Sequence, residues 1–218
     1  MPDRCGCPAG KAPKMRHPRQ TPMHTPHLFN LSRQLARTLI VFDIEHTGSK
    51  PHERGITEFA CVVVTDSSAY PGLNTYINPG PGIHFNPFAM KKTGISQKTV
   101  SGAPAWHEAV ADFVMDGQDS VWIGFSSRKN DIPIIQYEHA RFDLKRPEFT
   151  WQLDAMTLAR QVTGRKEGSL SSIVEDLVPD KVRKGHRAMA DVMMTVDLLE
   201  HLLPSMPASF LKSEGLLS

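Results

Sequence analysis

The chain has 218 residues, 40% apolar and 22% charged, enough for one sizeable domain with a real core, and no apolar run approaches the roughly 20 residues of a membrane helix. Its three cysteines, Cys5, Cys7 and Cys61, exclude a disulfide framework, and the first thirty residues lack the apolar centre of a secretory signal, so a cytoplasmic location is expected. Residues 1–37 carry seven basic side chains against Asp3; subtracting that +6 from the overall +2 leaves −4 for residues 38–218, which argues against binding by bulk basicity.

In chain order, residues 1–27 hold six prolines and no apolar periodicity, the pattern of a disordered tail. Cys5 and Cys7 with His17, His24 and His27 offer zinc-ligand chemistry, but one closely spaced pair without a second is weak, and plain tail is the preferred reading. The prolines likewise oppose an amphipathic mitochondrial presequence. "HLFNLSRQLAR" predicts a short helical lead-in. "TLIVFDIE", "GITEFACVVVTD" and "LNTYINPG" then predict three strands in an antiparallel meander. "NPFAMKKTG" predicts a short helix capped by Asn86 and closed by Gly94. Trp106, Val110, Phe113 and Val114 have helical spacing in the next segment, which ends at Gly117. "SVWIGF" predicts a fourth strand, and "DIPIIQYEHARF" a helix with Pro133 near its start. "WQLDAMTLARQVTG" predicts a short fifth strand running into a helix. Two further helices follow, the second long and stopped by Pro204. Three strands followed by strand–helix alternation predict a mixed sheet flanked by helices.

Within this frame, Asp43 and Glu45 end an apolar strand one residue apart, so both carboxylates point to one face. Like charges there repel and lose solvation, which suits a site holding a cation between them. Asp131 stands at a helix start after the fourth strand, where an N-cap is the bland alternative. His186 precedes the last long helix and Asp191 lies inside it, beside Ala188 and Ala190. His107 and Asp112 repeat that spacing before the fourth strand and are read as surface residues.

The ordered set Asp43, Glu45, Asp131, His186 and Asp191 resembles the DEDDh 3′–5′ exonuclease family, the DnaQ-like group that includes polymerase proofreading subunits and RNase T. The likeness covers about residues 37–203 and extends to "NPFAMKKTGISQKTVSGAPAWHEAVADF" and "GFSSRKNDIPII". It implies an α/β, ribonuclease H-like mixed five-stranded sheet flanked by helices. The chain then divides into a disordered basic tail (1–36), an exonuclease domain (37–204) and a C-terminal tail (205–218). The resemblance implies two divalent ions, Mg²⁺ or Mn²⁺, held by Asp43, Glu45, Asp131 and Asp191, with His186 as general base. Hard cations of this kind prefer carboxylate oxygens, and such pairs, roughly 4 Å apart, serve in-line phosphoryl displacement.

Three positions depart from the family pattern: His46 replaces the first threonine of Thr-Thr-Gly, Ser126 the loop asparagine, and Asn130 the phenylalanine before the third acid. His46, Thr47, Gly48, Ser126 and Arg128 are the expected substrate contacts, Lys129, Arg183, Lys184 and Arg187 further phosphate candidates, and Phe85 a candidate stacking ring. The expected activity is release of nucleoside monophosphates from single-stranded 3′ ends, DNA favoured. The alternatives are an RNA 3′-trimming enzyme or a catalytically weak binding module. A polymerase or helicase is the expected protein partner, and no membrane is expected.

Overall fold

The structure, a computed structural model, describes residues 23–48 and 54–217. Cys5, Cys7 and most of the basic tail lie outside these residues.

Helix α1 (Pro26–Leu35) opens the described chain. Its apolar stripe, Leu28, Leu31 and Leu35, is buried at the spacing of one helical face. Thr25 supplies no side-chain cap; instead the Glu200 carboxylate accepts from the backbone N–H of His27 at 3.2 Å and of Leu28 at 2.7 Å. An anion at a helix N-terminus satisfies otherwise orphaned donors and complements the dipole. The helical lead-in read from "HLFNLSRQLAR" is therefore present and packed, and the tail boundary expected at residue 36 falls too late: three leucines facing the core outweigh the polar composition around them.

Strands β1 (Leu39–His46), β2 (Ile56–Val64) and β3 (Ala69–Tyr76) form the meander, with antiparallel pairing of β1 to β2 and β2 to β3. After them come α2 (Pro87–Thr93), α3 (Gln97–Val100), α4 (Trp106–Ala109) and α5 (Ala111–Asp116). The Asn86 carboxamide accepts from Phe88 N, and Gly94 closes α2 at a positive φ of 73°. The single helix expected over residues 103–117 is broken at Val110, whose φ of −129° leaves the helical region.

Strand β4 (Val121–Gly124), helix α6 (Asp131–Arg141), strand β5 (Gln152–Asp154), and helices α7 (Ala155–Thr163), α8 (Leu170–Leu177), α9 (Ala188–Leu202) and α10 (Phe210–Ser213) complete the order. β4 pairs parallel with β1 and β5 parallel with β4, giving a five-stranded mixed sheet in the order β3-β2-β1-β4-β5. This is the sheet expected from the sequence.

Both faces are covered. On one, α1, α7, α8 and α9 pack against Leu39, Val41, Ala60, Val62 and Val64. On the other, residues of α4, α5 and α6 enclose Ile40, Phe42, Phe59 and Trp122. Each fully buried large aliphatic or aromatic side chain contributes roughly 1.5–3 kcal/mol of transfer free energy. Phe210, Leu211 and Leu216 are buried in the first of these cores, so residues 210–216, expected as part of a tail, are packed as well. Among the described residues no helix is long and apolar enough to cross a membrane.

Candidate metal centre

The carboxyl ends of the parallel strands β1 and β4 open onto one edge of the sheet, the edge where α/β sheets bind ligands. β1 delivers Asp43 and Glu45 there, and its pairing with β2 shifts register between Glu45 and His46. A bulge of this kind ends regular pairing and re-aims the side chains beside it. The α9 N-terminus delivers Asp191 in its first turn. Ligand oxygens of Asp43, Glu45 and Asp191 all lie within 4.8 Å of one another. Three of the four acids expected from the sequence thus converge.

Asp131, the fourth, is 8% exposed in the first turn of α6, where Asn130 takes the N-cap position. It lies outside the three-residue group, yet after burial its charge is the strongest influence on Asp43. The loop bringing it there is tightly made. A Cβ on Gly124 would stand 2.5 Å from that of Ser127, so only glycine lets β4 turn so sharply. Ser126 sits at φ +58°, its N–H donates to Asp154 Oδ1 at 3.1 Å, and Asn130 Nδ2 donates to its carbonyl at 3.0 Å.

The electrostatics follow from crowding acids under cover. Burial, then Asp131, Glu45, Asp191 and Glu58, holds Asp43 well above the ordinary carboxylate range. Burial and Asp191 push Glu45 up to about 8. Burial, with Asp154, pushes Asp131 up to about 7 against its own backbone N–H and Arg54. Burial also raises Asp191, opposed by the His186 N–H, which donates to Asp191 Oδ2 at 3.1 Å. Asp43, Glu45 and Asp191, each held above its ordinary range, form an oxygen-only donor cluster with Asp131 beside it, a composition that fits hard divalent cations. Gly185 lets this corner close, since a Cβ there would lie 3.3 Å from Asp191 Oδ1.

His186 is half-buried at φ +65° beside Asp191. Burial and the Lys92 ammonium lower its imidazole below the usual value, with Asp191 pulling the other way. His46 is pushed down to about 4 by burial and Arg54, so its ring is neutral. Glu45, His46 and Gly48 line one wall of a cavity of about 360 Å³, and Asn86, Phe88 and Lys92 line the other. Phe88 is 75% exposed there.

Not every expected contact faces this cavity. Thr47 is 2% exposed, and its hydroxyl accepts from Gly55 N at 3.1 Å. Arg128 pairs with Glu214 at 2.6 Å and donates to the Gln152 carbonyl at 2.7 Å, which commits its guanidinium to the C-terminal segment. Arg183 pairs with Asp197, and Arg187 with Glu58. Lys129 and Lys184 are exposed. His107 and Asp112 are exposed on α4 and α5, as expected of surface residues.

Four residues of this region were not singled out in the sequence. Glu58 is buried on β2 directly across from Glu45, and its signal was a lone acid inside an otherwise apolar strand. Asp154 caps α7 and holds Ser126. Phe88 and Lys92, one turn apart on α2, had no signal beyond ordinary surface composition.

Fold and site together define an α/β protein with a carboxylate cluster at the sheet edge. The chain matches the exonuclease (RNase T) family over residues 40–199, and it belongs to that family. The DnaQ-like, ribonuclease H-like resemblance read from the sequence therefore stands. It is 26% identical over 167 residues to the epsilon subunit of DNA polymerase III from Haemophilus influenzae, covering 73% of this chain and 64% of that protein. It is 24% identical over 174 residues to the PolC-type DNA polymerase III of Caldanaerobacter subterraneus, covering 80% of this chain and 12% of that one. Among solved structures, Escherichia coli exonuclease I in complex with a dA16 oligonucleotide shares the fold, with a TM-score of 0.68 and 16% identity over 80% of this chain and 42% of that one. The chain thus spans less than two thirds of each of these proteins.

Proposed function

We propose that the chain is a metal-dependent 3′–5′ exonuclease of the DEDDh type, releasing nucleoside monophosphates from single-stranded ends, with DNA favoured. The observation that carries this reading is the convergence of Asp43, Glu45 and Asp191 within 4.8 Å, beside His186 and Asp131, in a chain of an exonuclease family. The dA16 complex of exonuclease I, a fold neighbour, supports single-stranded DNA as substrate. The likeness to the epsilon subunit supports a polymerase as partner. An RNA 3′-trimming enzyme is the second reading, favoured by the RNase T membership of the family.

In this reading Asp43, Glu45, Asp131 and Asp191 hold two divalent cations, Mg²⁺ or Mn²⁺, which supply charge to the attacking and leaving oxygens of the phosphodiester. The raised proton affinities of the acids make binding pH-dependent, because the ligands must lose protons first. His186, kept neutral by burial and Lys92, takes the proton of the attacking water at an imidazole nitrogen. The cavity beside Glu45 receives the terminal nucleoside. His46 and Gly48 line it on one side, Phe88 offers a ring for base stacking, and Lys92 offers a cation to a phosphate. Ser126 serves through its backbone by holding the Asp131 loop, and the Arg128 guanidinium is engaged by Glu214 and the Gln152 carbonyl instead of substrate.

The test uses 5′- and 3′-labelled DNA and RNA oligonucleotides with Mg²⁺, Mn²⁺ or chelator. A 5′ label yielding a descending ladder, and a 3′ label released as mononucleotide only with metal, supports the reading. Internal cleavage or activity in chelator overturns it, and RNA shortened faster than DNA moves the assignment to the second reading.

A further inference from the structure

Glu58 is the one acid that β2 buries, at 3% exposure, directly across the antiparallel ladder from Glu45. Its charge adds to the load on Asp43, Glu45 and Asp191 alike. A buried carboxylate in such company is tolerated only when its own lone pairs are well served. Three donors serve it. Arg187 Nε lies 3.1 Å from Oε2 and Arg187 Nη2 lies 2.9 Å from Oε1, a two-point fork, while Ala188 N donates to Oε2 at 3.1 Å. The fork fixes orientation as well as distance. The contact from Ala188 satisfies a first-turn donor of α9, for which the N-cap side chain provides nothing. The same guanidinium lies over the Tyr76 ring of β3, 5.2 Å from its centre.

These contacts fall between the two site residues that α9 and its lead-in must place. His186 immediately precedes Arg187 at φ +65°, a conformation that persists in a non-glycine residue only when its surroundings hold it. Asp191 follows one turn later, its N–H donating to the Arg187 carbonyl at 3.1 Å and its carboxylate returning to His186 N. β1 carries Asp43 and Glu45, β2 carries Glu58 in register with Glu45, and Glu58 grips the start of α9.

We propose that Glu58 and Arg187 are a positioning pair, through which β2 sets His186 and Asp191 against the Asp43–Glu45 strand end. The pair acts through the residues on either side of Arg187, with the guanidinium committed to the Glu58 carboxylate. What matters is the two-point geometry of the fork, and a positive charge alone does not replace it. This inference rests on the proposed nuclease reading for its kinetic readout, and its metal-binding readout is independent of that reading.

The experiment compares the full chain with its Arg187→Lys and Glu58→Gln variants and the double variant. It measures kcat and KM on a 5′-labelled oligonucleotide, Mn²⁺ affinity by paramagnetic resonance titration, and Tm. Loss of a residue supporting metal ligands typically costs about 10- to 100-fold in activity or metal affinity. Arg187→Lys is therefore expected to lower kcat by about tenfold or more with KM within about twofold, and to weaken Mn²⁺ binding by about tenfold. The double variant is expected to lose no more than the worse single one. A lysine variant with wild-type kcat and Mn²⁺ affinity, altered only in Tm, overturns the proposal, as do fully additive losses. Should Arg187→Lys fail to fold, Glu58→Gln carries the same two readouts. If the wild type itself degrades nothing, the nuclease reading fails, and unchanged Mn²⁺ affinity in both single variants then overturns the pair separately.

Discussion

Replacing Glu45 by Gln is expected to stabilise the metal-free protein at alkaline pH while abolishing its activity. The amide keeps the shape of the side chain and cannot ionise. Burial and Asp191 raise Glu45 from 4.5 to about 8 in the folded chain, so the unfolded chain releases this proton first. A carboxyl raised on folding contributes its full stability below the unfolded value and loses it as pH climbs through the folded one. The window is therefore about 4.5 to 8. At about 1.4 kcal/mol per pH unit the shift represents at most roughly 5 kcal/mol. Glu45 is only partly covered and shares its surroundings with other acids, so we take about 1–3 kcal/mol as the effect, applying the discount that solvent screening demands. For a domain of this size each kcal/mol moves Tm by roughly 2–4 °C. The assay is thermal unfolding in chelator at pH 5 and pH 9. Wild type and Glu45→Gln should unfold within about 1–2 °C of each other at pH 5, and the variant about 3–10 °C higher at pH 9. Saturating Mg²⁺ or Mn²⁺ should restore much of the wild-type loss, since binding at about 100-fold over Kd adds about 2.7 kcal/mol. A variant that is no more stable than wild type at pH 9, or that gains equally at both pH values, would refute the crowded-acid account.

Three further outcomes follow from the same geometry. Ser126 occupies the left-handed region at φ +58°, which asparagine tolerates better than other non-glycine residues, so Ser126→Asn should raise Tm by about 1–3 °C with activity retained. Lys92 lines the cavity with no ion pair among the described residues; Lys92→Gln should raise KM several-fold and reduce the slope of log affinity against log salt by about 0.7, as loss of one phosphate contact to a single strand does. A methyl group at Gly185 would press within 3.3 Å of Asp191 Oδ1, so Gly185→Ala should cut kcat by roughly tenfold while circular dichroism and KM stay near wild type.

The sheet was legible in the sequence because its signals are local. "TLIVFDIE" and "SVWIGF" are short apolar runs bounded by turn or charged residues, and the three-strand start followed by strand–helix alternation leaves few topologies. The acids were legible through position, two of them on one face of a strand end and Asp131 at a helix start. What the sequence hid is pairing over distance. Arg128 and Arg187 looked like phosphate ligands because each flanks a site residue, but Glu214 and Glu58, the acids that engage them, lie 86 and 129 residues away. Composition misled at both ends for the same reason. A few well-spaced apolar residues, Leu28, Leu31 and Leu35 in one segment and Phe210, Leu211 and Leu216 in the other, suffice to dock segments that are polar on average.

The most direct trial of the central claim is the degradation of a 5′-labelled single-stranded oligonucleotide by wild type and Asp191→Ala, purified identically and assayed with Mg²⁺ or Mn²⁺. The proposed sharing of cations by the clustered Asp191, Asp43 and Glu45 carboxylates predicts a ladder of progressively shorter labelled products from the wild type and full-length substrate from the variant. Equal ladders from both proteins would place the chemistry somewhere other than this cluster and contradict the account.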